Sequence, residues 1–577
     1  MRSGAKDRLT AFVLLAALAV AWLIGGVAHP RATQAQTVES LTVITGYVLD
    51  NHGEPVEGAT VALVEDAGTQ ALAETQTEPD GLYSLPVPRS LGTSLAIRVR
   101  RAHFVSQDIP LSEAEAQALQ RGETLALPPI QLERYIGIAF WLATATFVLT
   151  LIIIATERLH NTLAALTGTA ILLGVSYLGR LISPALFIFD FQRALRYVDW
   201  NVVFLIMGMM IYIAVVERTG IFQWLAFFAY RISGGRGWLL MPILLVITGL
   251  FSAFLDNVTT ILIMAPFTVQ IALALGINPL ALLLPEVMAA NVAGTSTLIG
   301  TPTNILVGSF ADIPFHSFLV NLTPGVLLAL VGLILFFEIL YARDLTRAAA
   351  KVSPVLLQRL EENARITEPE NLKKAGWVGL LILTLFLLGE PFHLVPAVTA
   401  LIGATILVVW TRPNVEEMIE SVDWTTLIFF ITLFIVVGGI EEVGLVSMIA
   451  DQIGKVVGHS LLLTSLTLVW LSALLSGAID NIPFTAAMLP VVDFLTGRVP
   501  GASKEVLFFA LAVGSDFGGN VTLIGASPNL VMAGISERAG YPVRYVDWLK
   551  RGLPVTAITL VLCTLWLLIR FGLLGGG

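Results

Sequence analysis

The sequence predicts an all-α polytopic membrane protein with two inverted repeats. Each repeat has five spans and one re-entrant hairpin, and a small N-terminal β-sandwich precedes them. Three observations carry this expectation. The 577 residues are 56% hydrophobic and only 13% charged, at a mean hydropathy of +0.82, whereas soluble domains run nearer a quarter charged. Long apolar stretches recur in two sets related by an offset of 224 to 225 residues. Residues 40–132 depart from that pattern and alternate apolar with polar residues between turn signals. Lipid offers backbone amides no partners, so the apolar runs, each about 17–25 residues, are expected as helices.

The N-terminus opens with Arg2, Lys6 and Arg8 and continues into an apolar run from Leu9 to Ala28. Residues 1–35 are expected to be a signal peptide, cleaved after Ala28 or Ala35, or a signal anchor. Either outcome places the next segment outside the cytoplasm. That segment, residues 36–134, holds 14 acids against 6 arginines, so nearly all of the net charge of −9 lies in it. The remainder is close to balanced and implies no nucleic-acid partner. Cys563 is the single cysteine, which excludes an internal disulfide and a thiolate metal cluster.

Between residues 40 and 132, Leu41 to Asp50 alternates and meets a turn at Asn51-His-Gly53-Glu-Pro55. Gly58 to Val64 alternates again, and Asp80-Gly81 signals a tight turn before Leu82. Short strands joined by turns predict a β-sandwich. The pattern Gly46-x-Val-x-Asp50-x-x-Gly53-x-Pro55-x-x-Gly58-Ala-x-Val61, followed by Asp80-Gly-x-Tyr83-x-Leu85, resembles carboxypeptidase regulatory-like domains. The resemblance implies a fold and an accessory role, either a passive spacer or the ligand-binding part of a receptor.

From Tyr135 onward the apolar runs divide into repeat 1 (135–342), a linker (343–374) and repeat 2 (375–577). Expected spans in repeat 1 are about 135–156, 161–183, 200–217, 283–308 and 316–341. Those in repeat 2 are about 375–390, 394–411, 424–441, 506–530 and 554–572. The hairpins are about 238–275 and 461–497. With the sandwich outside, the linker is cytoplasmic, and it carries Arg343, Arg347, Lys351, Arg359, Arg365, Lys373 and Lys374, as the positive-inside rule expects. Arg193 and Arg196 fall on the other side. Five crossings are an odd number, so the second copy enters with opposite polarity.

The polar interruptions carry the chemistry. Each hairpin bears an acid–amide pair near its middle, Asp256-Asn257 and Asp480-Asn481, followed by hydroxyls at Thr260 and Thr485. A lone aspartate at a helix end is an ordinary cap, but an ionisable group inside the bilayer costs about 2.5–3.5 kcal/mol and marks function by default. Carboxylate, amide carbonyl and hydroxyl form a hard oxygen set suited to Na⁺, at Asp256, Asn257, Asp480 and Asn481, or to a proton exchanged for it. The other wall comes from Asn291, Gly294, Thr295, Ser296, Thr297 and Asn304 in the first copy, and from Asp516, Gly518, Gly519, Asn520, Thr522 and Asn529 in the second. Glycine lets the chain unwind, and Pro302 and Pro528 interrupt a regular helix. Two positions break the match: Glu286 faces Leu511, and Asp516 faces Asn291. Asp199 and Asp423, each before a tryptophan, read as helix caps. Glu217 and Glu441 read as interfacial.

Ser252-Ala-Phe-Leu-Asp256-Asn257-Val-Thr-Thr, Gly294-Thr-Ser-Thr-Leu-Ile-Gly300-Thr-Pro-Thr-Asn304 and Asp480-Asn481-Ile-Pro-Phe-Thr485 resemble the ion transporter superfamily. That superfamily includes arsenite permeases, D-type sodium/proton antiporters, the melanosomal P protein and dicarboxylate symporters. The resemblance covers about residues 135–572. It implies a scaffold bundle with a mobile transport domain, ion sites at the two hairpin tips, and a homodimer. Dicarboxylate symporters carry Ser-Asn-Thr at these tips where this chain has Asp-Asn. The expected function is a secondary active cation/proton antiporter of a bacterial-type inner membrane, with no cofactor beyond Na⁺ or H⁺ as coupling ion. An anion permease for arsenite or a carboxylate is the alternative. An intramembrane aspartyl protease is a third reading, but the Gly-x-Gly-Asp setting it needs is missing before both acids.

Overall fold

The computed structural model describes residues 42–65, 71–88, 94–156, 158–346, 358, 360–362, 364–457 and 460–572. The expected leader, residues 1–35, and part of the 343–374 linker lie outside them. The chain divides into two units, residues 1–135 and 136–577.

The first unit contains two four-stranded sheets. Strands β1 (Val43–Asp50), β2 (Thr60–Glu65), β3 (Ala71–Gln76), β4 (Leu82–Pro86), β5 (Leu95–Arg100) and β6 (Gln107–Pro110) precede a short helix, α1 (Glu113–Gln120), and then β7 (Leu125–Ala126) and β8 (Ile130–Leu132). One sheet runs β4-β1-β7 with β8 also on β1, and the other runs β3-β2-β5-β6. Alternation puts Ile44, Val48, Val61, Leu63, Tyr83, Leu85, Ile97 and Val99 into one apolar core. The Asp50 carboxylate accepts from the backbone of His52 (2.8 Å) and Glu54 (3.0 Å), forming the expected turn. Gly81 has φ +78°, and a Cβ there would lie 2.6 Å from the Val48 carbonyl oxygen, so only glycine suits this turn.

The second unit is helical. Its first half contains α2 (Ile138–Ala155), α3 (Asn161–Leu178), α4 (Phe191–Arg196), α5 (Trp200–Arg218), α6 (Ile221–Ser233), α7 (Gly237–Ser252), α8 (Asn257–Ala274), α9 (Leu280–Gly294), α10 (Pro302–Ala311), α11 (Phe315–Asn321), α12 (Thr323–Leu340) and α13 (Ala342–Thr346). Its second half contains α14 (Pro369–Leu388), α15 (Pro396–Thr411), α16 (Val415–Glu420), α17 (Trp424–Glu442), α18 (Leu445–Val457), α19 (Leu461–Ser476), α20 (Asn481–Arg498), α21 (Lys504–Gly518), α22 (Ser527–Arg538) and α23 (Tyr545–Arg570).

Among the described residues, eight helices are long and apolar enough to cross a membrane: α2, α3, α5, α8, α12, α14, α17 and α23. The expected spans 283–308 and 506–530 are each two short helices, α9 with α10 and α21 with α22, separated by non-helical backbone. Proline and glycine cause those gaps: Pro302 and Pro528 sit in the first turns of α10 and α22, where their missing N–H costs nothing. Two helices that apolar length does not announce, α6 and α18, lie at the same 224-residue offset as the rest. At 13 residues each they are too short to span.

Arg193 stands in α4, and its Nε lies 3.1 Å from Glu442 Oε2 at the end of α17. The Tyr197 hydroxyl donates to the same oxygen at 2.6 Å. A basic residue on the unexpected side of the charge pattern thus has a buried acidic partner.

Candidate functional site

Both hairpins turn at their acid–amide pairs. Asp256 is the N-cap of α8: its Oδ1 accepts from Thr259 N at 2.9 Å, and its Oδ2 from the Thr259 hydroxyl at 2.6 Å. Asp480 is the N-cap of α20, accepting from Ile482 N at 3.1 Å. Each is therefore a cap, and each also faces further polar groups. The second Asp480 oxygen accepts from Ser527 at 2.9 Å and from Asn161 at 3.4 Å. Thr260 and Thr485 turn inward on their own helices, donating to the carbonyls of Asp256 (2.9 Å) and Asn481 (2.7 Å).

The broken helices hold the tips in matching ways. Ser252 donates to Ala290 O (2.7 Å), and Ser476 donates to Ser515 O (2.6 Å). Thr297 donates to Ala253 O, and Thr522 donates to Gly477 O. Asn304 binds the carbonyls of Thr295 (3.0 Å) and Thr297 (2.7 Å), while Asn529 binds those of Gly519 (2.8 Å) and Thr522 (3.1 Å). These amides satisfy the carbonyls that the helix breaks leave free. Ser296 donates locally to Ala293 O. Gly518 allows close helix approach: a Cβ there would lie 2.5 Å from the Ala473 carbonyl oxygen. The backbone also folds back on itself, since a Cβ on Gly525 would lie 2.8 Å from the Gly519 oxygen, with Gly300 and Gly294 in the equivalent relation.

Between the two breaks the side chains join across the halves. Asn257 Nδ2 donates to Asn291 Oδ1 (2.9 Å). Asn291 Nδ2 donates in turn to Asn520 Oδ1 (2.8 Å) and Asn529 Oδ1 (3.0 Å). Opposite this amide chain, Asp516 accepts from Thr295 and Thr301 at 2.9 Å each, from Thr303, and from Asn481 at 3.4 Å. Glu286 is separate from both groups; Thr248 (2.9 Å) and Thr268 (3.0 Å) donate to its Oε1.

A cleft of about 290 Å³ reaches Asp256. Its polar lining is Asp256, Thr259, Asp423, Thr425, Thr426, Glu217, Ser421, His160, Asn161, Thr162 and Ser527. Three carboxylates line it, and among the described residues no lysine or arginine does. Asp423 caps α17 through Thr425 N and Thr426 N, both at 3.1 Å, yet it also faces this cleft. Asp199, its counterpart, caps α5 and lines no part of it. Glu217 belongs to the cleft as well. A second cavity of about 670 Å³ is lined by Asn201, Leu298, Asp312, Glu390 and His393, among others. Ile305 of α10 lines both.

Sequence reasoning missed Thr301 and Thr303, which flank Pro302 and bond to Asp516. The available signal was two hydroxyls at positions that are Ala526 and Pro528 in the other copy. It also missed Ser527 and Asn161, which no local motif marks.

The citrate transporter model CitMHS matches residues 151–514. An uncharacterized transporter of Mycobacterium bovis is 37% identical over 431 residues, covering 74% of this chain and 98% of its own length. The P protein of Homo sapiens is 29% identical over 534 residues, covering 78% of this chain and 63% of its own length. Among solved structures, the crystal structure of the Alcanivorax borkumensis YdaH transporter matches 75% of this chain and 98% of that one, at 18% identity and a TM-score of 0.47.

Proposed function

The chain belongs to the CitMHS citrate transporter family, and from that premise we propose that it exchanges a small hard cation for protons by alternating access. It is a membrane transporter and not an enzyme. The observation that carries the cation reading is the lining of the 290 Å³ cleft: Asp256, Asp423 and Glu217 with hydroxyls and, among the described residues, no lysine or arginine. Such a wall attracts cations and repels carboxylates. Oxygen donors of this kind suit Na⁺ or Li⁺.

In this reading the repeats are inverted, with one hairpin from each side. The wall of the site consists of the broken-helix residues described above. Asp256 and Asp480 bind proton and cation alternately. The basic 343–374 linker is cytoplasmic, the β domain is extracytoplasmic, and the chain resides in the inner membrane as a homodimer. Support comes from the positive-inside count and from the matched hydrogen bonds at Ser252 and Ser476, Thr297 and Thr522, and Asn304 and Asn529.

A carboxylate permease is the second reading, favoured by the citrate transporter description of the family. Everted vesicles loaded with a pH dye separate the two. Na⁺ or Li⁺ dissipates the proton gradient under the first reading and citrate does not. Citrate uptake without any cation response, and unaffected by Asp256→Asn, would overturn it.

A further inference from the structure

We propose that α6 and the segment carrying Glu361 and Arg365 bind one membrane phospholipid whose headgroup bears a primary ammonium, a phosphatidylethanolamine. One of its acyl chains lies along α14. The inference does not depend on which ion or solute is carried.

Helix α6 begins just beyond the end of α5, which is long and apolar enough to span, so α6 starts at the level where that span ends. Phe222, Ala226, Ala229 and Ser233 turn into the protein. Trp224, Phe228 and Arg231 stand at i, i+4 and i+7 on another face of the helix. Together with Phe227, Glu361 and Arg365 they line a cavity of about 440 Å³. The Trp224 and Phe228 rings stack, with centroids 5.0 Å apart and 14° between their planes. They form a flat apolar shelf at the depth tryptophan favours in a bilayer. The backbone fixes Arg365 beside this shelf. Thr367 N donates to Thr219 O at 2.9 Å, and the Thr367 hydroxyl donates to Arg218 O at 2.6 Å. A Cβ on Gly220 would lie 2.6 Å from the Arg365 carbonyl oxygen, so the two strands of chain are in close contact.

The charges of this cavity select the headgroup. Two guanidiniums and one carboxylate line it, and among the described residues none of the three makes an ion pair. Guanidinium groups bind phosphate oxygens through paired N–H donors. The Glu361 carboxylate only accepts hydrogen bonds, and a primary ammonium brings three donors and the opposite charge. The trimethylated ammonium of choline brings none. Glycerol hydroxyls donate without charge, and inorganic phosphate offers Glu361 only like charge.

A neighbouring apolar cavity of about 380 Å³ gives the chain its place. It is lined by Ile221 and Phe222 of α6, and along α14 it extends from Leu372 to Phe386, a rise of about 21 Å. Gly376 leaves space within it, since a Cβ there would meet nothing within 4 Å. Met209, Phe254 and Ile299 line both this cavity and the cleft at Asp256. A chain bound here therefore touches the residues that shape the cleft.

Native mass spectrometry of the full-length protein tests this. The protein is delipidated in detergent and titrated with phosphatidylethanolamine, phosphatidylcholine or phosphatidylglycerol of identical chains. One phosphatidylethanolamine is expected to bind at least about ten-fold more tightly than either of the others. The double variant Arg231→Gln, Arg365→Gln is expected to lose that binding. Glu361→Gln is expected to erase the preference for ethanolamine over choline. Gly376→Leu fills the chain cavity and is expected to weaken binding while the lipid-free protein melts as wild type does. Equal binding of the three lipids, or full binding by the double arginine variant, overturns the headgroup site. Tightest binding of phosphatidylglycerol overturns the role of Glu361, and undiminished binding by Gly376→Leu overturns the chain path.

Discussion

Asn291 and Asn520 share a 2.8 Å hydrogen bond that ties the broken helix of one half of the chain to that of the other. Both side chains are buried, and Asn291 also bonds Asn257 and Asn529. An amide can donate and accept at once, so one residue links three partners.

Replacing Asn291 by alanine leaves the Asn257 amide and two carbonyl oxygens short of a partner. Each orphaned buried group costs about 1–3 kcal/mol. The expected outcome is a lower apparent melting temperature in detergent than for Ser296→Ala, whose hydroxyl bonds only locally. Equal melting of the two variants would contradict the bridging role.

Asparagine caps helices as well as aspartate does. Asp256→Asn and Asp480→Asn are therefore expected to keep the wild-type melting temperature while losing cation-driven proton movement by at least about ten-fold, which corresponds to roughly 1.4 kcal/mol of lost ion binding. Asp199→Asn, at a cap that lines no part of the cleft, is the control and is expected to transport normally. Full activity in Asp256→Asn would remove the carboxylate from the mechanism.

Arg193 and Glu442 form a partly buried ion pair backed by Tyr197. Breaking such a pair from one side leaves an uncompensated charge and costs about 3–5 kcal/mol, whereas replacing both partners costs far less. Arg193→Met is therefore expected to destabilise more than the double variant Arg193→Met, Glu442→Leu, as read by thermal unfolding in detergent. An additive result would show that the two residues act independently.

In the β unit, the Tyr83 hydroxyl is buried without a hydrogen-bond partner among the described residues, and burial pushes its pKa up to about 12 from 10. The unfolded chain loses this proton first. Stability from the neutral phenol is therefore complete below pH ~10 and falls as pH rises toward ~12, by at most about 2–3 kcal/mol. Alkaline unfolding of a residue 36–135 fragment followed by circular dichroism is expected to show this loss, and Tyr83→Phe is expected to remove it.

Much of the architecture is readable from residues alone because lipid imposes simple demands. Apolar runs locate α2, α3, α5, α12, α14, α17 and α23, and proline with glycine locates the breaks before Pro302 and Pro528. The acid–amide tips stand out because polar residues are rare in such runs. Helices α6 and α18 are hidden by length, since 13 residues resemble a loop between spans. Asp423 is hidden by its ordinary cap chemistry, because a capping role does not reveal what its helix end faces. The contacts of Asp516 with Thr301 and Thr303 join residues more than two hundred positions apart, and only tertiary packing brings them together.

Ile305 lines both cavities, so one aliphatic side chain is common to their walls. That shared contact is apolar and pairs no charges. A carboxylate or amide at position 305 would bring a hydrated group to both cavities at once.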